Sequence, residues 1–181
     1  MRAMRYLADQ HRLSLHFRIW EFCQSDTADA HGIEIRVVED SPVHRNLTAL
    51  CHYALEPARI RVGPLHVTSG YRPDHVNELV GGVANSDHTK GNAADVWHDE
   101  LTPLELAQVL VDEAEAFDQI ILEHDQGVVH VGHRRPDADG TDRNRGEILT
   151  RWNKLVGHDA DGEAQYTTDY TYGLVPKEDL A

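Results

Sequence analysis

One ten-residue segment, residues 86–95, carries side chains that can bind a metal ion, and it reads SDHTKGNAAD. His88 offers a neutral nitrogen ligand, and Asp95, seven positions later, offers an anionic oxygen ligand. A zinc ion accepts both kinds of ligand at about 2.0–2.2 Å. Gly91 lets the backbone turn sharply between them. The spacing predicts a zinc site that still needs a third protein ligand.

The chain offers that third ligand about 35 residues after Asp95, where His130 lies within the sequence VVHV at 128–131. Successive side chains of a strand point to opposite faces, so His130 and His133 cannot both face the metal. His130 has apolar neighbours on both sides and is the more enclosed of the two. Each histidine taken alone is equally compatible with a hydrogen-bonded core residue, so the prediction depends on the combination.

The composition limits the class of protein. The 181 residues predict one domain, or one domain with an appended tail, and the net charge of −14 argues against nucleic acid or an anionic membrane as partner. No apolar run approaches the roughly 18 residues of a membrane span. The first residues lack the apolar core of a secretory signal, which predicts synthesis in the cytoplasm without a signal peptide. Cys23 and Cys51 are predicted to be buried free thiols.

Periodic patterns predict the elements that position these residues. Apolar residues recur at helical spacing from Ser41-Pro42 to Glu56-Pro57, and a capping box with proline at the first helical position begins another helix at Thr102. Shorter helices are predicted at 25–31 and 73–79. Strands are predicted at 65–69, 93–97, 119–123 and 128–133, the last two forming a hairpin.

These elements predict an α+β fold in which a small antiparallel sheet packs against helices. The zinc-binding domain is predicted to span residues 1–133, with the leader 1–40 included. Residues 134–181 are polar and rich in Asp, Gly, Arg and Thr, which predicts a loop-rich C-terminal extension. Trp152, Leu155 and Val156 are its predicted anchors.

Several groups of residues occur in a fixed order: SGYR at 69–72, Asn77 with Gly81-Gly82, the segment 86–95, and VHV at 129–131. This order resembles the zinc D-Ala-D-Ala carboxypeptidase and endopeptidase family, which has the Hedgehog/DD-peptidase fold. It resembles in particular the small, phage-encoded members that act on peptidoglycan. The resemblance covers roughly residues 14–133 and leaves the C-terminal extension outside.

The resemblance implies a zinc (Zn2+) cofactor with His88, Asp95 and His130 as ligands. It also implies that Arg72 binds the terminal carboxylate of the substrate, which a guanidinium can do through two parallel hydrogen bonds. A surface salt bridge is the other interpretation of Arg72. Ser86 is predicted to orient the metal loop at the substrate site, or only to cap a turn.

The general base of the reaction departs from the family pattern. Related peptidases carry an acid three residues before the last histidine, or a second histidine two residues before it, whereas here Gly127 and Val128 occupy those positions. Neither can transfer a proton. Glu123 and Asp125 are the nearest acids in sequence, and we predict Glu123 as the catalytic residue because it ends an apolar strand. Asp125 is interpreted as a solvated turn residue.

Two functions follow from these observations. The first is a zinc metallopeptidase that hydrolyses D-Ala-containing bonds in the peptidoglycan stem peptide through a metal-activated water. The alternative is a non-catalytic virion structural protein or wall-binding protein that retains the fold. The expected partners are the stem peptide and virion subunits, with no nucleic acid and no membrane. The expected place of action is the bacterial cell wall, after release or as part of a virion.

Overall fold

A six-stranded sheet organises the fold, which a computed structural model describes for residues 5–159, 161 and 163–180. Its strands are β1 (His66–Ser69), β2 (Ala93–Trp97), β3 (Gln119–Glu123), β4 (Val128–Gly132), β5 (Glu147–His158) and β6 (Ala164–Tyr172). Their spatial order is β1-β2-β4-β3-β5-β6. All neighbouring pairs are antiparallel except β3 and β5, which are parallel. The predicted α+β class is confirmed, with a larger sheet that contains one parallel pair.

Helices precede β1 in the chain and also lie in the connections from β1 to β2 and from β2 to β3. They are α1 (Asp26–Ala30), α2 (Pro42–Leu50), α3 (Glu56–Val62), α4 (Asp74–Leu79) and α5 (Pro103–Glu113). The helix α5 begins with the predicted capping box, in which the Thr102 hydroxyl accepts from the Glu105 N–H and the Glu105 carboxylate accepts from the Thr102 N–H. Among the described residues, no helix is both long and apolar enough to cross a membrane.

The first long helical segment does not end where the sequence predicted, at Glu56-Pro57. A π-helical turn, Cys51–Leu55, follows α2, and α3 then continues the helix to Val62. Within this turn the Glu56 N–H bonds to the Cys51 carbonyl. Pro57, which has no N–H to donate, therefore lies in the first turn of α3, where helices tolerate proline.

The two faces of the sheet serve different purposes. One face packs its apolar side chains against α2, α3 and α5 to form the core, with Ile120, Leu122, Val129 and Val131 fully buried. His130 lies between two of these residues in β4, so its side chain points to the opposite face. Alternation along the strand therefore places the candidate metal ligand on the face away from the helical core.

His133 lies on the helical side, as the alternation predicts. Its Nδ1 donates to the Ala116 carbonyl, and its ring stacks on Tyr53 in the π-helical turn. His133 is thus a packed core histidine.

The predicted free thiols are also present: Cys51 is buried and Cys23 is half-buried.

The prediction of a loop-rich C-terminal extension is wrong for residues 147–158 and 164–172, which form β5 and β6. These strands make a long antiparallel hairpin, and β5 extends the same sheet through its parallel pairing with β3. Leu155 and Val156 are exposed rather than buried anchors, whereas Trp152 is half-buried. The pairing joins residues about 28 positions apart, so no local pattern announced it. The division of the chain at residue 133 stays a prediction.

Asp118, just before β3, connects the hairpin to the rest of the domain. Its carboxylate is almost fully buried and accepts hydrogen bonds from the Arg145 backbone, at 3.1 Å, and from the Arg145 guanidinium, at 2.6 and 3.0 Å. Arg134 approaches the same carboxylate at 3.2 Å and also binds Asp87 in the metal loop at 2.9 Å. One buried charge therefore joins three separate segments.

We expect Asp118→Asn to lower the free energy of unfolding by about 1–3 kcal/mol, because two arginines lose their buried anionic partner. The matched control is Asp137→Asn, which removes an exposed ion pair with Arg143 and should have little effect. Urea denaturation monitored by circular dichroism measures both. Equal stability of the two variants at neutral pH would contradict the assignment.

The stability that Asp118 contributes should also depend on pH. Burial acts to raise the pKa of Asp118, but the hydrogen bonds from Arg145 and the charge of Arg134 outweigh it and lower that pKa. The stabilisation is therefore complete above the unfolded-state pKa of about 3.9 and is lost as the pH falls through the lower folded-state value. The stability difference between wild type and Asp118→Asn should shrink in acid.

Candidate metal centre

His88 lies in a short 3-10 turn, Asp87–Lys90, whose position depends on the loop after β1. The His88 Nδ1 donates to the Gly70 carbonyl at 2.8 Å, and the Arg72 N–H donates to the His88 carbonyl at 3.1 Å. This pair of bonds leaves the lone pair of His88 Nε2 free to face the sheet. Gly91 ends the turn with a φ of 71°, in the left-handed region that favours glycine.

Gly70 is required for a second reason. A Cβ at this position would lie 2.6 Å from the Cα of Phe22, which is closer than any side chain tolerates. The Tyr71 N–H also bonds to the Phe22 carbonyl at 2.8 Å. The leader thus holds the Gly70 carbonyl in place against His88.

Asp95 and His130 lie directly opposite each other in the β2–β4 ladder, so both side chains share one face. The Asp95 Oδ1 lies 2.9 Å from the His130 Nδ1. The His88 Nε2 lies 3.2 Å from the His130 Nδ1 and 3.3 Å from the Asp95 Oδ1. Residues from a loop and two strands thus bring three donor atoms to one point.

The triangle of donor atoms has nearly the size that a zinc ion requires, although two of its three sides are slightly short. In a tetrahedral site with ligand distances of about 2.0–2.2 Å, neighbouring ligand atoms are separated by about 3.3–3.6 Å, and the three separations here are 2.9, 3.2 and 3.3 Å. Two imidazole nitrogens and one carboxylate oxygen form a donor set that zinc uses in catalytic sites. Because the Gly70 carbonyl accepts the Nδ1 proton of His88, the neutral ring carries its lone pair on Nε2, the atom that faces the other two donors.

In the triad of His88, Asp95 and His130, neighbouring charges shift the pKa values of Asp95 and His130. Burial acts to raise the pKa of Asp95, but the charge of His88 and the hydrogen bond from His130 outweigh it and hold that pKa well below its usual range. Burial acts to lower the pKa of His130, but the hydrogen bond and charge of Asp95 raise it above the ordinary value. The anionic carboxylate therefore favours a positive charge on the site.

Glu123 lies on the face of the sheet that carries the triad. It is two residues from Ile121, which is opposite His130 in the β3–β4 ladder. Its side chain is mostly buried, and its Oε2 accepts from the Arg151 Nη1 at 3.1 Å. Burial and the charge of Asp95 raise the pKa of Glu123, whereas Arg151 and the two triad histidines oppose that shift.

Asp125 is placed differently from Glu123. It lies in the turn between β3 and β4, where its carboxylate accepts from the Asn153 N–H and from the Lys177 ammonium at 3.3 Å. Asp125 is exposed in this turn, which agrees with its interpretation as a solvated turn residue, and β5 and the C-terminal segment supply its two hydrogen bonds. Gly127 lies in the same turn with a φ of 69°, and Val128 is buried.

The two predicted substrate residues flank the triad. The Arg72 Nε is buried, and it has no hydrogen-bond partner within the part of the chain that the structure describes. Arg72 also lines a cavity of about 380 Å³ beside β1, together with Ser25, Ser69 and Trp97. Ser86 is buried immediately before the metal loop, and its hydroxyl does not cap the following turn.

Arg151 is a site residue that the sequence did not indicate. Its partner Glu123 was predicted, but Arg151 comes from β5, a strand that was expected to be loop. The alternation of Thr150 and Trp152 with Arg151 and Asn153 was the available signal. It was too weak to interpret without knowing which strand β5 pairs with.

The comparisons with known proteins agree with this geometry. A family model described as Peptidase M15 matches residues 17–132, which extend from the leader to the end of β4. The match includes all three residues of the triad and ends before the β5–β6 hairpin. No curated protein sequence matches the chain.

We expect the purified protein to bind one zinc ion per chain and His130→Ala to lose it, because two remaining ligands bind zinc far more weakly than three. His133→Gln is the matched control, since that histidine faces the helical core. Elemental analysis after dialysis against zinc, with folding checked by circular dichroism, makes the measurement. A metal-free wild type, or full zinc retention in His130→Ala, would refute the site.

Proposed function

Because the chain belongs to the peptidase M15 family, whose members are zinc peptidases, we propose that it hydrolyses D-Ala-containing peptide bonds of bacterial peptidoglycan. The observation that carries the proposal is the convergence of His88, Asp95 and His130 with donor separations of 2.9–3.3 Å. An arrangement with three protein ligands leaves further coordination positions for water and substrate.

The triad would hold the zinc ion of the reaction. When bound there, zinc supplies Lewis acidity, which polarises a carbonyl group and lowers the pKa of water. The protein contributes a rigid frame: Asp95 and His130 lie on paired strands, and the Gly70 carbonyl orients His88. Such outer hydrogen bonds keep the ligand nitrogens aimed at one point.

Glu123 is the proposed general base. Its Oε2 is bound to Arg151, which leaves Oε1 to accept a proton from the attacking water and to deliver it to the departing amine. The ion pair favours the carboxylate form that a base needs, while burial and the charge of Asp95 raise the pKa of Glu123 above its ordinary value. Asp125 is a weaker candidate because two groups already bind its carboxylate.

Arg72 is proposed to bind the terminal carboxylate of the substrate. Its buried Nε lacks a protein partner among the described residues, and a carboxylate in the adjoining cavity would supply one. Ser86 is proposed to contact the substrate beside the metal loop. A free terminal carboxylate is a feature of carboxypeptidase substrates, so this arrangement favours trimming of a terminal D-Ala over cutting of a crosslink.

One observation favours a second candidate function. Gly127 and Val128 occupy the positions where related peptidases carry a proton-transferring residue. A virion or wall-binding protein that retains the fold without turnover would need no such residue. In either case we propose a phage-type protein that acts at the cell wall, after release or within a virion, with the stem peptide or virion subunits as partners.

We expect Glu123→Gln to lower kcat by about 10²–10⁴-fold while zinc content is unchanged, because the amide cannot accept the proton. Asp125→Asn is the matched control and should keep most of the wild-type rate. Release of D-Ala from a stem peptide, with zinc measured in the same samples, tests both. A zinc-loaded wild type that cleaves neither stem peptides nor intact peptidoglycan would contradict the enzymatic proposal and favour the second candidate.

We expect Arg72→Ala to reduce kcat/KM about 10- to 100-fold on peptides with a free C-terminal carboxylate, the loss of about 1.5–3 kcal/mol expected for a charge-assisted hydrogen bond. The same peptides with a C-terminal amide should be cleaved equally by both proteins, because they carry no charge for Arg72 to pair with. An equal loss on the two substrate forms would show that Arg72 has a structural role instead.

A further inference from the structure

The β5–β6 hairpin continues the face of the sheet that carries the candidate metal centre. Residues directly opposite each other in neighbouring strands share a face, so one row runs from Asp95 through His130, Ile121 and Leu149 to Tyr172. This row crosses five strands. The hairpin lies outside the family match, so it adds a surface to the family core at the level of the active site.

A second row lies beside the first. It runs from Glu123 through Arg151 to Tyr170. The Arg151 guanidinium, bound to the proposed base, thus comes from the strand that also positions the tyrosines. Tyr170 is 52% exposed and Tyr172 is 79% exposed, although burial of aromatic rings is normally favourable. Exposed tyrosines grouped on one face are typical of binding surfaces.

The direction of the substrate follows from the order of the strands. The cavity at Arg72 lies beside β1, at one edge of the sheet, and β6 forms the other edge. If Arg72 holds the terminal carboxylate and the triad holds the scissile bond, the preceding residues of the substrate extend towards β5 and β6. With neighbouring strands about 4.8 Å apart, β6 lies about 14 Å from β4, which is the length of about four extended residues.

The chemistry of this surface fits an uncharged ligand. On the face that carries the tyrosines, the charge of Glu123 is neutralised by Arg151. Ile121 and Leu149 make the floor between the triad and Tyr172 apolar. Aromatic rings over an apolar floor suit the peptide backbone and sugar rings of a wall fragment, and the charge of −14 disfavours an anionic polymer.

We propose that the β5–β6 hairpin binds the amino-terminal part of the peptidoglycan stem peptide and its attached sugar. We call the face of the hairpin that carries Tyr170 and Tyr172 the tyrosine wall. This inference rests on the proposed function and specifies the substrate of that site. It predicts that the enzyme distinguishes long substrates from short ones. A fragment with only two residues before the scissile bond does not reach the tyrosine wall, whereas a complete stem peptide with its sugar does.

The test compares the zinc-loaded wild type with a Tyr170→Ser/Tyr172→Ser double variant, and with Tyr172→Ser alone in case the double variant folds poorly. Tyr6→Ser is the matched control, because Tyr6 is similarly exposed and lies far along the chain from the hairpin. We expect the double variant to lose at least about tenfold in kcat/KM on the sugar-linked stem peptide and in sedimentation with insoluble peptidoglycan. Cleavage of an acetylated tripeptide ending in D-Ala-D-Ala should be unchanged.

If the double variant lost kcat/KM equally on long and short substrates, or sedimented with peptidoglycan as well as the wild type, the proposal for the tyrosine wall would be overturned. Light scattering that shows a dimer which the double variant dissociates would also overturn it, because the tyrosine wall would then bind a second copy of the chain. A wild type that binds insoluble peptidoglycan through the two tyrosines but cleaves nothing would support the tyrosine wall and refute the peptidase proposal. A wild type that cleaves the tripeptide but does not sediment with peptidoglycan would support the peptidase proposal and refute the tyrosine wall.

Discussion

The direct opposition of Asp95 and His130 in the β2–β4 ladder is the constraint on which the site depends. Because strand side chains alternate with a period of two, a slip of one residue would turn His130 into the core and bring a valine to the site. The register is held by the apolar alternation itself, since Val129 and Val131 must remain buried. The core therefore stabilises the geometry of the candidate metal centre, although it touches none of the donor atoms.

His88 depends on a second constraint, the close approach of the leader to the loop after β1. Phe22 packs in the core and leaves space only for a glycine at position 70. The Gly70 carbonyl then selects the tautomer of His88. A carbonyl acceptor at this point turns a flexible histidine into a ligand with one orientation, which is how backbone structure contributes to metal affinity.

Buried charge connects the site with the C-terminal hairpin. Asp118 and Glu123, at the two ends of β3, pair with Arg145 and Arg151 from the segment that leads into and forms β5. Burying a carboxylate is costly unless a cation and hydrogen bonds compensate it, so these pairs strongly favour one docking of the hairpin. The family core ends at β4, and the parallel β3–β5 pairing extends the face that carries the candidate metal centre by two strands. The surface of the β5–β6 hairpin is thereby joined to the candidate metal centre within one continuous sheet.

The sequence by itself determined the local elements and the candidate ligands, because both depend on short-range patterns. Helical spacing, capping residues and strand alternation predicted α5, β2, β3 and β4, and the alternation separated His130 from His133. Only the tertiary structure decided what depends on long-range pairing: the parallel β5, the Arg151 partner of Glu123, and the Gly70 carbonyl behind His88. The hairpin's polar, threonine-rich sequence resembles a loop because little of it is buried. Its pairing partner β3 lies 28 residues earlier in the chain, where no local pattern could point to it.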